Sequence, residues 1–341
     1  MAALFVSIKN IFHAAVAVVM LIPILATMGN AGNPNTPVEF YPESDNPYIT
    51  DYLDPDIAAH RSGAGIAPQN TLMAFENIIA QGDSLGVDIL EFDVQITKDG
   101  ELVLLHDLTY DATTNAEEAF GRKFVFASSI TLEEARVLNL GENFKVNGEY
   151  PYRGLRGDDI PYNLRVVTCD EIIDYIESNS NGKEYKYCIE IKSIGINGYK
   201  AVDKLYSIIA ARNLQERAIW STFAPDVSAY MKLRHPEISR TADAIEAIQF
   251  YFYFRMNWEL SDVSPSYVAL QIPYGSSAFD NIINLGTREL LNYAHKNNIA
   301  VQYWTINSEE ETALLTQNGA DCIITDYPQR VYETVLTCQN Q

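Results

Sequence analysis

The sequence predicts an α/β fold, a closed TIM (β/α)8 barrel with an insertion after an early strand. Three observations predict it. Between residues 57 and 336, short apolar runs alternate with longer runs of 3.6-residue period, and repeated βα units of this kind give a parallel sheet with helices outside it. There are about eight such units and no dinucleotide fingerprint, which favours the barrel over a doubly wound sheet. Unusual polar residues also stand where several apolar strand runs stop, the end of a barrel strand where chemistry is usually placed.

The chain starts outside that pattern. Asn10 to Val38 holds no Asp, Glu, Lys or Arg, Lys9 supplies a positive start, and Ala14 to Thr27 is an almost unbroken apolar run. Small residues follow at Gly29-Asn30-Ala31. Residues 1–31 therefore read as a secretory signal peptide, and the protein as exported. An uncleaved signal-anchor is the alternative, although the run falls short of the roughly 20 residues of a full span and Pro23 interrupts it. Residues 32–56, rich in Pro, Asn, Asp and Tyr, read as an irregular N-terminal segment, and 57–341 as one barrel domain.

Within the barrel the strand-like runs are Ile57–His60, Ile89–Ile96, Leu102–His106, Tyr187–Ile191, Ala218–Thr222, Val268–Ile272, Ala300–Thr305 and Cys322–Thr325. Helix-like runs are Thr71–Ser84, Cys169–Glu177, Tyr199–Arg212, Asp226–Leu233, Thr287–Lys296, Glu309–Asn318 and Gln329–Leu336. Asn70, Thr168, Ser308 and Asp326 are placed as helix N-caps. Residues 107–165 break the alternation, with one short helix at Thr131–Leu140; they read equally well as a lid over the active face or as a tolerated surface insertion.

Lys+Arg 24 against Asp+Glu 45 gives a net charge of −21. So acidic a surface repels phosphate backbones and anionic headgroups, which excludes a nucleic-acid binder. An anionic substrate then needs a local positive site. The four cysteines (Cys169, Cys188, Cys322 and Cys338) fit no zinc spacing, and their redox state stays open between disulfides and buried thiols.

The chemistry gathers at three strand ends: Ile57-Ala58-Ala59-His60-Arg61; Ile89-Leu90-Glu91-Phe92-Asp93 with Leu102–Asp107; and Cys188-Ile189-Glu190-Ile191-Lys192. Residues two apart on a strand share a face, so Glu91 and Asp93 project together, as do Glu190 and Lys192. Three carboxylates converging in a barrel mouth repel one another unless a hard divalent cation neutralises them. His60 and His106 both end strands, and a pair of imidazoles can take a proton on one side of a reaction and give one on the other. Arg61 and Lys192 add the fixed positive charge a phosphate requires. Singly, each residue has a dull explanation as a rim carboxylate, a surface histidine or an ion pair; the joint pattern at one end of several strands does not.

These residues resemble a known family. His60-Arg61 followed by Pro68-Gln69-Asn70-Thr71, Glu91-Phe92-Asp93-Val94 with Thr97-Lys98-Asp99-Gly100, His106-Asp107, Glu190-Ile191-Lys192, Trp304-Thr305-Ile306-Asn307 and Ile324-Thr325-Asp326-Tyr327-Pro328 are similar, in that order, to the glycerophosphodiester phosphodiesterases. The resemblance implies a TIM barrel that hydrolyses small-molecule glycerophosphodiesters to glycerol 3-phosphate and an alcohol. It implies that Glu91, Asp93 and Glu190 bind Ca²⁺ or Mg²⁺, that His60 and His106 are the acid/base pair, that Arg61 and Lys192 hold the phosphate, and that Trp304 belongs to the substrate pocket. Two positions depart from the family pattern: Gln69 replaces its usual Glu and Ser62 its usual Gly.

The alternatives are a sphingomyelinase D-like or phosphatidylinositol-specific phospholipase C-like enzyme of the same barrel class, or a secreted binding protein that has lost turnover. A membrane-active enzyme wants an apolar rim; Phe250-Tyr251-Phe252-Tyr253-Phe254 is the candidate, against core packing as its other explanation. Membrane contact is not required by the main reading, and oligomeric state is not encoded legibly. For the N-terminus the expectation is concrete: N-terminal sequencing of the secreted product should give a chain starting near Gly32, whereas Met1 on a membrane-bound product would establish an anchor.

Overall fold

The computed structural model describes residues 32–39, 44–263, 265–275 and 283–340. The signal-like segment 1–31 lies outside them. Among the described residues the strands are β1 (Asp56–Ala59), β2 (Ile89–Ile96), β3 (Leu102–Leu104), β4 (Lys186–Ile191), β5 (Ala218–Ser221), β6 (Ser239–Arg240), β7 (Ala269–Pro273), β8 (Ala300–Trp304) and β9 (Cys322–Thr325). The helices are α1 (Leu72–Gln81), α2 (Ala116–Phe120), α3 (Leu132–Ala135), α4 (Cys169–Asn179), α5 (Gly195–Ala210), α6 (Pro225–Arg234), α7 (Ala244–Met256), α8 (Arg288–Lys296), α9 (Glu309–Asn318) and α10 (Pro328–Gln339).

All strands but β3 pair in parallel, in the order β6-β5-β4-β2-β1-β9-β8-β7. The ring closes between β6 and β7, where Val268 N donates to Arg240 O (3.0 Å) and Ala242 N to Ala269 O (2.8 Å). This is the predicted barrel. Outward-facing Phe92, Ile189 and Trp220 pack under the helices with Phe75 and Ile172. Inward-facing residues are smaller: Ala58, Ile89, Cys188, Ile219, Ala269, Ala300 and Cys322 fill the barrel. Tyr48, from the irregular N-terminal segment, joins that inner cluster. Asn46 beside it donates from Nδ2 to Val268 O (2.7 Å) and Asn298 O (2.9 Å), just before β7 and β8. The segment therefore plugs the N-terminal end of the barrel, leaving the other end free for the site. The four cysteines are buried, unpaired thiols.

Two strand assignments change. Residues 102–106 are not a barrel strand: β3 runs antiparallel to β2, with Val94 opposite Leu104 and Ile96 opposite Leu102. The missing barrel strand is β6, which has no apolar run to betray it. It is held instead by Arg240, buried on the outer face, whose guanidinium donates to Glu246 Oε2 (2.6 Å) and Oε1 (2.9 Å) on α7 and to Ser266 Oγ (2.7 Å). Helix α7 has no clear signature in the sequence either, because its aromatic run hides the 3.6 period. Asp243 caps it in a capping box with Glu246. Phe250 and Tyr251 are buried, and Phe250 and Phe254 pack on Tyr293 of α8, so the aromatic stretch is helix packing. Helix α5 starts at Gly195, ahead of the expected Tyr199; Gly195 and Gly198 lower the helix propensity of that first turn and hide it in the sequence. Gly198 is needed there: a Cβ would lie 2.4 Å from Val227 Cγ2 and 2.7 Å from Ser193 O.

Residues 107–165 are short helical turns and loops wrapped around a core of their own, in which Tyr110, Val125, Ala135, Leu138 and Leu140 pack on Val103 and Leu105 of the β3 arm. None of them lines the cavity at the barrel mouth.

The Arg240–Glu246 pair gives a stability test. Burial alone would raise the Glu246 carboxyl, yet hydrogen bonds from Arg240 and Lys232 bring it down to about 2 from 4.5. A carboxylate depressed on folding contributes stability above its ordinary pKa and loses it as pH falls through the folded value. Glu246→Gln, which can still cap α7, should lower the unfolding free energy at neutral pH. The deficit should shrink as the pH of a denaturant titration is taken from about 4.5 towards 2. A deficit independent of pH would show that the pair carries no net charge stabilisation.

Candidate active site

The site is built at the C-terminal ends of β1, β2, β4, β8 and β9. Ala59 is opposite Thr325 in the β1–β9 ladder, so the next residues, His60 and Asp326, stand side by side. His60 Nδ1 is 2.7 Å from Asp326 Oδ1. Asp326 Oδ2 accepts from Asn307 Nδ2 (2.7 Å), and Asp326 N donates to Asn307 Oδ1 (2.9 Å). Burial opposes charge on Asp326, but the His60 hydrogen bond and charge outweigh it and hold the carboxyl below its usual range. With Nδ1 engaged, His60 has Nε2 left for the cavity it lines.

Arg61 adopts a left-handed backbone, φ 49°, which turns its N–H onto Glu91 Oε2 (2.6 Å) and its guanidinium inward, with Nε 3.6 Å from Asp93 Oδ2. Its Nη1 donates to Gln69 Oε1 (2.5 Å). Gln69 thus holds Arg61 by a hydrogen bond without the negative charge a Glu would bring. Ser62, also at positive φ (61°), occupies a position where glycine is conformationally cheaper.

The β2–β4 register sets Asp93 opposite Glu190 and Glu91 opposite Cys188. As the period of two requires, Glu91, Asp93 and Glu190 face inward, and one oxygen from each falls within a 4.8 Å group. Burial and the Asp93 charge push the Glu91 carboxyl well above its ordinary value. Burial also raises Glu190. Asp93 resists burial because Lys192, His106 and Arg61 surround it, and its carboxyl is lowered. Lys192 Nζ lies 2.6 Å from Glu190 Oε1 and 3.3 Å from Asp93 Oδ1; these carboxylates overcome its own burial and raise it. Asn70 Nδ2 donates to Asp93 Oδ2 (2.9 Å) while Asp93 N donates to Asn70 Oδ1 (3.2 Å).

His106 arrives by the hairpin. Thr97 and Asp99 close the turn at Gly100 (φ 88°), sending the chain back along β2 until Leu105 N donates to Asp93 O (3.1 Å). His106 follows, and its Nδ1 lies 3.0 Å from Asp107 Oδ1. The cavity brings together His60, Arg61, Glu91, His106, Glu190 and Lys192, with Asp93 packed behind Lys192 and Trp304 on the opposite side. Trp304 meets half-exposed Phe223 edge-on, 6.0 Å between ring centroids. An all-oxygen, net-negative donor set whose Glu91 carboxyl is pushed up by burial and by the Asp93 charge suits a hard divalent cation.

The family model described as the glycerophosphoryl diester phosphodiesterase family matches residues 60–330, which hold every one of these side chains. The chain belongs to that family. Among curated relatives of this family member, a glycerophosphodiester phosphodiesterase of Caldanaerobacter subterraneus is 31% identical over 284 residues, 82% of this chain and 97% of the relative. A Silicibacter pomeroyi structure carrying the family's name aligns with TM-score 0.66 at 22% identity, over 84% of this chain and 94% of that one. A phosphodiesterase from Oleispira antarctica, solved with the product sn-glycerol-3-phosphate, aligns with TM-score 0.59 at 20% identity, over 82% and 96%.

The structure brings the expected carboxylates, histidines and cations to one cavity, and gives two residues beside them a place that local pattern does not suggest. Local pattern reads Asn70 and Asp326 as helix caps. The caps are Thr71 for α1 and Tyr327 for α10, and the side chains of Asn70 and Asp326 serve Asp93 and His60. Asn307 was visible in the motif without a role. If Asp326 fixes the imidazole, Asp326→Asn should lower kcat on a glycerophosphodiester by about 10- to 100-fold with KM little changed. Unchanged steady-state kinetics would show the contact to be idle.

Proposed function

We propose that this protein hydrolyses glycerophosphodiesters to glycerol 3-phosphate and an alcohol, using a divalent cation held by Glu91, Asp93 and Glu190 and the histidines His60 and His106. The observation that carries this reading is the convergence of three carboxylates, two imidazoles, Arg61 and Lys192 on one cavity of a family barrel. A bound Ca²⁺ or Mg²⁺ supplies Lewis-acid stabilisation of the charge that develops on the phosphoryl oxygens.

The chain's own groups do the rest. Arg61 and Lys192 hold the phosphate and offset its charge. His106 takes the proton of the substrate's glycerol 2-hydroxyl, which attacks phosphorus. The bond from phosphorus to the leaving alcohol breaks, and His60, oriented by Asp326, gives that alcohol its proton. The cyclic phosphate is then opened by water, with the two histidines exchanging roles. Attack from within the substrate gains the entropic advantage of a tethered nucleophile. Trp304 lines the cavity beside Phe223 and is part of the substrate pocket in this reading. We further propose export through residues 1–31, which would place the enzyme where it meets glycerophosphodiesters outside the cytoplasm.

Glycerophosphocholine with excess Ca²⁺ or Mg²⁺ should yield glycerol 3-phosphate, and a chelator should abolish the release. His60→Ala and His106→Ala should each lose about 10²-fold or more, the usual worth of general acid/base help. Full activity in excess chelator would remove the metal from the reading. Cleavage only of intact phospholipid would replace it with the phospholipase alternative.

A further inference from the structure

The N-terminal segment begins as a strap laid along the first turns of α8. Arg288 Nη1 donates to Pro34 O (3.3 Å) and Thr36 O (3.1 Å). Asn292 Nδ2 donates to Pro37 O (2.8 Å), and Asn292 Oδ1 accepts from Glu39 N (3.0 Å). Between them, Glu289 Oε1 accepts from Asn33 N (2.8 Å) and from the Thr36 hydroxyl. Its other oxygen, Oε2, is buried and has no hydrogen-bond partner among the described residues. Burial opposes charge on this carboxyl, but the Thr36 hydroxyl and the backbone N–H groups around it hold it below its ordinary value. Glu289 is therefore an anion at neutral pH. The adjacent Arg288 directs its guanidinium elsewhere, to the strap carbonyls, Asn318 Oδ1 and Gln317 O.

Gly32 lies against that oxygen. A Cβ built on it would be 2.8 Å from Thr287 Cγ2 and 3.7 Å from Glu289 Oε2. Its nitrogen is less than about 4 Å from the Asn33 nitrogen that already binds Oε1. Gly32 is also the residue that follows Gly29-Asn30-Ala31, the small residues closing the signal-like segment. We propose that cleavage of the Ala31–Gly32 bond on export makes the cation this carboxylate lacks: the Gly32 α-ammonium pairs with Glu289 Oε2 and fastens the strap to α8. This rests on the export proposed above. Hydrolysis consumes one water. The new carboxylate leaves on Ala31, and the new amine stays on Gly32 and takes up a proton, its ordinary pKa being about 7.7–8.0. Before the cut the same nitrogen is a neutral amide with one N–H; after it, a charged group with three. One extra residue would carry the charge about 3.5 Å away, so the pairing needs the chain to begin at Gly32. The strap leads to Asn46 and Tyr48, so the pair tethers the plug at the closed end of the barrel.

The test compares chains beginning at Gly32 or at Ala31, each with Glu289 or with Glu289→Gln. Glutamine keeps the oxygen that Asn33 and Thr36 use and removes the charge. At neutral pH the Gly32 chain should melt about 2 °C above the Ala31 chain, the shift one desolvated ion pair gives in a domain of this size. In Glu289→Gln the two should melt together. The difference should also fade as the pH rises above about 9. An amine paired in the folded state has a raised pKa, so its contribution is present below the ordinary value and lost as pH passes the folded one. A steric effect of the extra alanine would leave the gap untouched by either change. Acetylation of the Gly32 amine discharges it and alters no side chain. It should lower the melting temperature by the same amount, and it decides the matter if Glu289→Gln does not fold. Equal melting of the Gly32 and Ala31 chains, or a gap that persists in Glu289→Gln, overturns the proposal. N-terminal sequencing of the exported protein keeps the two readings apart: a cut at another bond overturns this proposal and leaves export standing, whereas retention of Met1 removes both.

Discussion

Three carboxylates forced into one small volume are the constraint around which this molecule is arranged. Glu91 and Asp93 share a face because a strand has a period of two, and Glu190 joins them because β2 and β4 pair with Asp93 opposite Glu190. A slip of one residue in that register would turn the set towards the helices. Among the described residues only Arg61 and Lys192 bring permanent positive charge to the cluster, and Glu91 is pushed towards its neutral form. The surrounding structure answers the same charge. The Arg61 amide and the Asn70 carboxamide donate into the cluster, and the hairpin at Gly100 returns His106 to its edge.

Much of this was legible in the sequence because the site is made of residues that interrupt apolar strands. Glu91 and Asp93 alternate with Leu90, Phe92 and Val94 inside a buried strand, and together with Glu190, His60 and His106 at other strand ends they mark a functional mouth. What escaped was whatever depended on partners distant in the chain. Asp326 and Asn70 precede helices and have the chemistry of N-caps, so local pattern reads them as caps. Only the β1–β9 ladder and the turn before α1 show that their side chains point into the site. Strand β6 was invisible for a related reason: a buried Arg240–Glu246 pair, rather than an apolar run, holds it in the barrel. The β3 arm reads as an apolar strand whichever way it runs, and its direction is set by the turn, not by its composition.

The division of labour follows the fold. The N-terminal segment closes one end of the barrel with Tyr48, and the other end carries the chemistry. The insertion after His106 has its own core and stands clear of the cavity, so its contribution to the site is to anchor the arm that delivers His106 and Asp107. Gln69, the most conspicuous departure from the family pattern, is neutral yet engages Arg61, whose guanidinium donates to its carboxamide oxygen.

The central claim is that the carboxylate cluster exists to hold one divalent cation. Isothermal titration of chelator-stripped protein with Ca²⁺ and with Mg²⁺ tests it without reference to turnover. The account expects binding of one ion per chain by the wild-type protein, and loss of that binding in Asp93→Asn with the circular dichroism spectrum preserved. Absence of binding at ion concentrations up to about 10 mM, the weak end of protein Ca²⁺ sites and beyond, would contradict it. So would an affinity that Asp93→Asn leaves unchanged.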